Sequence, residues 1–174
     1  MAKFTNGKFI AGEEEALSLM QAGFGKKAGD EVILHPLEAA YLRSIDLLEA
    51  AEGAKKLDAA QIVKKMKAQN GPKGEKLPTP SEQFAIFSQL RSGGRVVRFN
   101  SHSPHYWRVY ARGVGREQER AQILLRLVAG EWKASISSLE LEIAVARQLR
   151  EELVLAFVQK GQPSFVKVNK FNLD

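Results

Sequence analysis

The stretch YWRVY (106–110) sets two phenols and a guanidinium on one side of what reads as a β-strand. Side chains alternate at period two in a strand, so Tyr106, Arg108 and Tyr110 turn one way while Trp107 and Val109 turn the other. Phenol rings stack on bases and a guanidinium forks phosphate, so the first set suits nucleic acid. The second set packs on a core. A half-buried sheet aromatic is the commoner fate of a strand tyrosine, and it is the reading that Tyr110 must rise above. His102 and His105 lie just upstream with Pro104 between them, a spacing that places them on no common face of a regular helix or strand. The third histidine, His35, is remote in sequence, and no carboxylate cluster accompanies the pair, so no metal site is expected and the two read as polar loop residues. The chain has no cysteine, which excludes disulfides, thiolate metal sites and cysteine nucleophiles.

The elements that position these groups follow from punctuation and periodicity. EEEALSLMQAG (13–23) reads as a short helix with an acidic first turn and Gly23 as its stop, and EVILH (31–35) as a strand. PLEAAYLRSIDLLEA (36–50) and LDAAQIVKKMKAQN (57–70) read as helices, the first with Pro36 in its first turn and the second capped by Asp58. AQNGPKGEKLPTP (68–80) concentrates glycine and proline and divides the chain into two domains, 1–75 and 76–174. Beyond it, PSEQFAIFSQLRSGG (80–94) reads as a helix with Ser81 as N-cap and Gly93-Gly94 as stop, and RVVRF (95–99) as a strand. The fold class is α+β: a small helix-rich N-terminal domain, then a mixed sheet with flanking helices.

Composition is that of a soluble globular protein, with 44% hydrophobic and 26% charged residues. No apolar run reaches the roughly 18 residues needed to span a bilayer, and the amino terminus lacks the apolar stretch of a signal peptide, so no membrane is expected and the expected compartment is the cytoplasm. The net charge of +6 is unevenly placed. Residues 1–75 balance 11 Lys and Arg against 11 Asp and Glu, whereas residues 76–174 carry 15 against 9 and hold ten of the 11 arginines. An arginine-biased basic half favours nucleic acid over a merely charged surface. Arg108, Arg112 and Arg116 are the candidate RNA-binding residues.

In order, HYWRVYARG (105–113), ERAQILLRLV (119–128) and ELEIAVARQLREELVLAFV (140–158) read as strand, strand, and helix followed by strand. With "YxRG" closing the first strand and "RxxLVLA" joining helix to strand, this succession resembles the C-terminal domain of the archaeal tRNA-splicing endonucleases. GFGKKAGDEVILHPLEAAYL (23–42) likewise resembles the family's N-terminal domain. The resemblance implies a metal-free and cofactor-free RNA cleavage by internal attack. A tyrosine is the base, a histidine the acid and a lysine the cation, and the products are a 2′,3′-cyclic phosphate and a 5′-hydroxyl. Tyr110 fills the first place, Arg120 stands where the histidine belongs and Glu152 where the lysine belongs. A guanidinium stays protonated through the reaction and cannot act as the acid. A carboxylate opposes the charge that a lysine would stabilise, so the triad positions are expected to be inert.

The resemblance therefore implies a non-catalytic structural subunit, two copies of which join two copies of a catalytic subunit to remove introns from pre-tRNA at bulge-helix-bulge motifs. ELVLAFV (152–158) and SFVKVNKF (164–171) are expected to carry the subunit contact through Phe165, Val166 and Val168. The turn between them, QKGQP (159–163), has Lys160 where the family loop is acidic. Two other readings stay open: an active endonuclease subunit with a relocated triad, and a stand-alone RNA-binding module that stacks bases on YWRVY.

Overall fold

The computed structural model describes residues 1–66, 74–100, 102–112, 120–130 and 132–170, without the side chain of Arg112. The described residues fall into two compact units, the first ending at Met66 and the second beginning at Gly74. Gly71 and Pro72 of the expected linker lie outside them.

The first unit is a six-stranded sheet in the order β3-β4-β2-β1-β5-β6, with helices α1 (Glu13–Gln21), α2 (Pro36–Ser44) and α3 (Ala59–Lys64). Its strands are β1 (Ala2–Thr5), β2 (Lys8–Ala11), β3 (Lys26–Ala28), β4 (Glu31–Leu34), β5 (Ala50–Glu52) and β6 (Lys55–Leu57). Strands thus hold more of this unit than periodicity suggested. The helix expected over 36–50 stops at Ser44, because Asp46 turns left-handed (φ 56°) and the chain re-enters the sheet at Ala50. Asp58 caps α3 as expected, its carboxylate accepting from Gln61 N at 2.7 Å.

One buried carboxylate joins the GFG step to the LEA helix. Glu38, 3% exposed, accepts from Gly25 N and from His35 N, each at 2.9 Å. Gly25 sits at φ +61°, and a Cβ there would meet Val32 Cγ1 at 2.2 Å, so glycine is obligatory on both counts. Burial pushes the His35 imidazole down to about 4, which keeps Nδ1 deprotonated to accept from Leu37 N.

The second unit is a five-stranded sheet, β11-β10-β9-β8-β7, between two helices. Its elements are α4 (Pro80–Ser92), β7 (Arg95–Phe99), β8 (Tyr106–Arg112), β9 (Ile123–Leu127), α5 (Ile136–Leu149), β10 (Glu152–Gln159) and β11 (Gln162–Val168). The cap of α4 is Thr79 and not Ser81. Thr79 Oγ1 accepts from Glu82 N while the Glu82 carboxylate accepts from Thr79 N, a reciprocal box that starts the helix at Pro80. Helix α4 packs against β7, β10 and β11. On the other face, Ile143 and Ala146 of α5 pack with Leu124 of β9 and Leu153 of β10.

Arg126 of β9 is the buried electrostatic centre of this unit, 5% exposed. Its Nη2 reaches both Glu75 oxygens, at 2.8 and 2.7 Å, and Nη1 lies 3.2 Å from Glu142 of α5. The guanidinium also sits over the Tyr106 and Trp132 rings, 5.5 and 5.1 Å from their centroids. Burial raises the Glu142 carboxyl above its usual range and pushes the Tyr106 phenol up to about 12. The cation therefore fastens Glu75 and α5 to the sheet. Replacing Arg126 with Met strands two carboxylates and is expected to cost about 3–5 kcal/mol in urea unfolding. Adding Glu75→Gln and Glu142→Gln should recover part of that loss. A cost below about 1 kcal/mol, in the range of an exposed ion pair, would remove the cluster from this role.

Candidate functional site

Strand pairing brings the three triad-matching positions to one end of the second sheet. In β8 and β9 Val109 lies opposite Ile123, and in β9 and β10 Ile123 lies beside Glu152, so these three stand abreast across neighbouring strands. Gln122 N donates to Val109 O at 2.9 Å and Glu152 N to Gln122 O at 2.8 Å. Tyr110 is the next residue along β8, and Arg120 is exposed on the approach to β9, three residues before the strand begins. Between Val109 and Arg112, β8 advances three residues against the two of β7 from Val97 to Arg95. The resulting bulge spans Tyr110 and Ala111, at a place where bulges re-aim side chains.

Glu152 does not end the helix. Helix α5 closes at Leu149, and Arg150 turns left-handed (φ 57°). Glu151 N donates to Ala146 O at 2.9 Å and Arg150 N to Arg147 O at 3.0 Å, the pair of bonds of a Schellman closure. Glu152 then opens β10, and its carboxylate pairs with Lys167 of β11 in solvent. The carboxylate that reaches β8 is that of Glu151. Its side chain is fully buried, and Oε1 accepts from Arg108 Nε at 2.8 Å and from Arg108 Nη2. Arg108 lies two residues before Tyr110 on β8, so a carboxylate–guanidinium pair stands on the same strand just ahead of the tyrosine's position. Periodicity had no means of finding Glu151, because it lies in the two-residue joint between helix and strand.

The described histidines do not supply an acid at this end. His105 immediately precedes β8 at its opposite end and is 7% exposed, so it is a buried residue and not a polar loop residue. Burial, with Arg126 nearby, lowers its imidazole below the usual range. His102 is exposed in the same upstream turn, and His35 belongs to the first unit. A cavity of about 950 Å³ opens beside the Arg126 cluster, lined in part by His105, Tyr106, Trp132 and Lys133. Among the described residues no three His, Asp or Glu side chains are placed to share a metal ion, and no helix is long and apolar enough to cross a membrane.

Of the candidate RNA-binding residues, Arg108 is 43% exposed and engaged with Glu151. The Arg112 side chain and Arg116 lie outside the described residues. The candidate interface residues lie on β11, the sheet's edge strand, where Phe165 and Val166 are 38% and 48% exposed. Val168 is partly buried against Leu153. The chain reverses into β11 through two left-handed residues, Lys160 (φ 51°) and Gly161 (φ 77°), so a two-residue turn replaces the longer loop expected over 159–163.

Comparison with known proteins accords with both halves. Residues 2–63 match the tRNA intron endonuclease N-terminal domain, and residues 81–165 match the tRNA intron endonuclease catalytic C-terminal domain. The tRNA-splicing endonuclease of Thermococcus onnurineus is 22% identical, over 91% of this chain and 88% of that protein. Those of Pyrococcus furiosus and Pyrococcus horikoshii are 25% and 24% identical, each over 84% of this chain and 80% of theirs. From Gly25 and Glu38 in the first unit to the strand end that holds Tyr110 in the second, the chain belongs to the tRNA-splicing endonuclease family.

Proposed function

We propose that this chain is a non-catalytic structural subunit of a tRNA-splicing endonuclease, acting on pre-tRNA introns through a catalytic paralogue in a two-plus-two assembly. Family membership supports a role in tRNA intron cleavage. The observation that carries the finer reading is the composition of the Tyr110 end. A buried Glu151 carboxylate holds the part-exposed Arg108 on the tyrosine's strand, Arg120 stands on the approach, and no described imidazole is near. Internal cleavage needs an acid for the leaving 5′-oxygen and a cation beside the phosphorane. An arginine cannot give up its proton, and a carboxylate there already neutralises the guanidinium beside it. A phenol on its own is a poor base for taking a hydroxyl proton. Arg108, Arg112 and Arg116 then serve RNA contact, steering pre-tRNA by its phosphates without cutting it.

The contact with the catalytic subunit is assigned to β11. Gln159 and Gln162 flank the two-residue turn as a hydrogen-bonded pair, and alternation then turns the N–H groups of Ser164, Val166 and Val168 toward β10. Those of Phe165 and Lys167 point outward, and Pro163, which has no N–H, takes the remaining outward position. The edge thus turns outward donors beside exposed Phe165 and Val166, a surface that invites strand pairing unless it is covered. The short turn at Lys160-Gly161 presents one lysine and no carboxylate, so the strand and not the turn carries this contact.

Two outcomes are expected. The purified chain alone leaves a bulge-helix-bulge RNA uncut on a sizing gel, and turnover like that of a complete enzyme would transfer the reading to a relocated triad. Lys167→Pro removes an outward donor while sparing the β10–β11 bonds, so it should weaken association with the catalytic subunit while circular dichroism stays unchanged. A full-sized complex by light scattering at micromolar concentration would place the interface elsewhere.

A further inference from the structure

The Arg108–Glu151 pair is built from two unfavourable choices in adjacent residues. Arg150 is a non-glycine residue held left-handed, and Glu151 is a carboxylate withdrawn wholly from water. Only one of its oxygens is used, since Oε2 has no hydrogen-bond partner among the described residues. What the arrangement achieves is a fixed guanidinium. Arg108 donates Nε and Nη2 inward to one oxygen and stays 43% exposed, so the remaining donors of the fork face outward. Directly opposite Arg108 across the strands stands Arg98. Exposed Arg120 and Arg150 add positive charge at the same end of the sheet.

We propose that Glu151 is a positioning residue that holds Arg108 as the fixed donor of a phosphate site beside Tyr110, where an RNA phosphodiester is gripped and not cut. This rests on the reading of RNA as the partner. A free arginine side chain loses rotamer freedom each time it binds, whereas Arg108 is ordered by Glu151 beforehand. The same carboxylate that disables phosphorane stabilisation then improves ground-state grip, which suits a subunit that presents RNA to a partner's active site.

The sign of one substitution separates positioning from simple charge. Glu151→Gln removes a negative charge near RNA, so electrostatics alone predicts tighter binding. Loss of positioning predicts weaker binding, by roughly three- to tenfold, the size of one charge-assisted contact loosened. The assay is fluorescence anisotropy of a labelled bulge-helix-bulge RNA with the full chain across a salt series. Arg108→Met should weaken binding to the same degree and reduce the slope of log K against log salt by about 0.7–0.9. The double variant should be no weaker than Arg108→Met alone. Thermal melts check that each variant is folded at the assay temperature. If Glu151→Gln is not, Glu151→Asp takes its place, since a carboxylate withdrawn by one methylene keeps the charge and should still weaken binding. Inorganic phosphate at constant ionic strength distinguishes the source of the anion. Failure to displace RNA supports a site that needs the polymer, and displacement from wild type but not from Arg108→Met overturns it in favour of a free anion. Glu151→Gln binding as tightly as wild type, or more tightly, overturns the positioning role. A wild-type chain that binds no RNA overturns instead the functional reading beneath it.

Discussion

The parallel pairing of β9 with β10 is the constraint on which the second unit depends. Two parallel neighbours cannot be joined by a tight turn, so the chain must cross over, and α5 is that crossover. A crossover helix returns its C-terminal end to where the second strand begins, beside the start of β9 and near the far end of antiparallel β8. The phenol of Tyr110, the approach at Arg120 and the joint at Arg150-Glu151 are therefore gathered by topology, whatever residues occupy them. Chemistry at this sheet end is a matter of side-chain choice on a frame that stays the same. In this chain the choices make an ion pair.

That distinction explains why the frame was more legible than the site. The alternation in YWRVY, the glycines after α4 and the helix preceding β10 are signals of backbone geometry, and each is set by local sterics or burial. The GFG step and the LEA helix were legible as a pattern, and the structure supplies the reason: the Glu38 carboxylate ties Gly25 to the start of α2. Glu151 was not legible, because a residue in a two-residue joint belongs to no periodic pattern. Strand alternation separates the two: Glu152 turns to Lys167 in solvent while Glu151 turns inward to Arg108.

Other misses have equally local causes. The Asn6-Gly7 turn carries the left-handed pair (φ 49° and 78°) that joins β1 to β2, and Asn-Gly between apolar residues is a hairpin signal that was available in the sequence. Strands of three residues such as β3, β5 and β6 are too short for alternation to register. His105 looked like a loop residue because Pro104 precedes it, yet burial is decided by the sheet it enters. Arg126 gave no signal either, since one arginine among apolar residues becomes a clasp only when Glu75 and Glu142 arrive from elsewhere in the chain.

If, as proposed, the phenol at this sheet end takes no part in cleavage, its removal leaves the assembled enzyme's rate almost unchanged. Complexes of this chain with the proposed catalytic subunit are prepared with Tyr110→Phe here, or with the matching tyrosine changed in that subunit. Single-turnover cleavage of a bulge-helix-bulge RNA is then timed. The account predicts a rate within about twofold of wild type for Tyr110→Phe and a loss of about 10²-fold or more for the partner's variant, the scale of a general base. A comparable loss from Tyr110→Phe would contradict it.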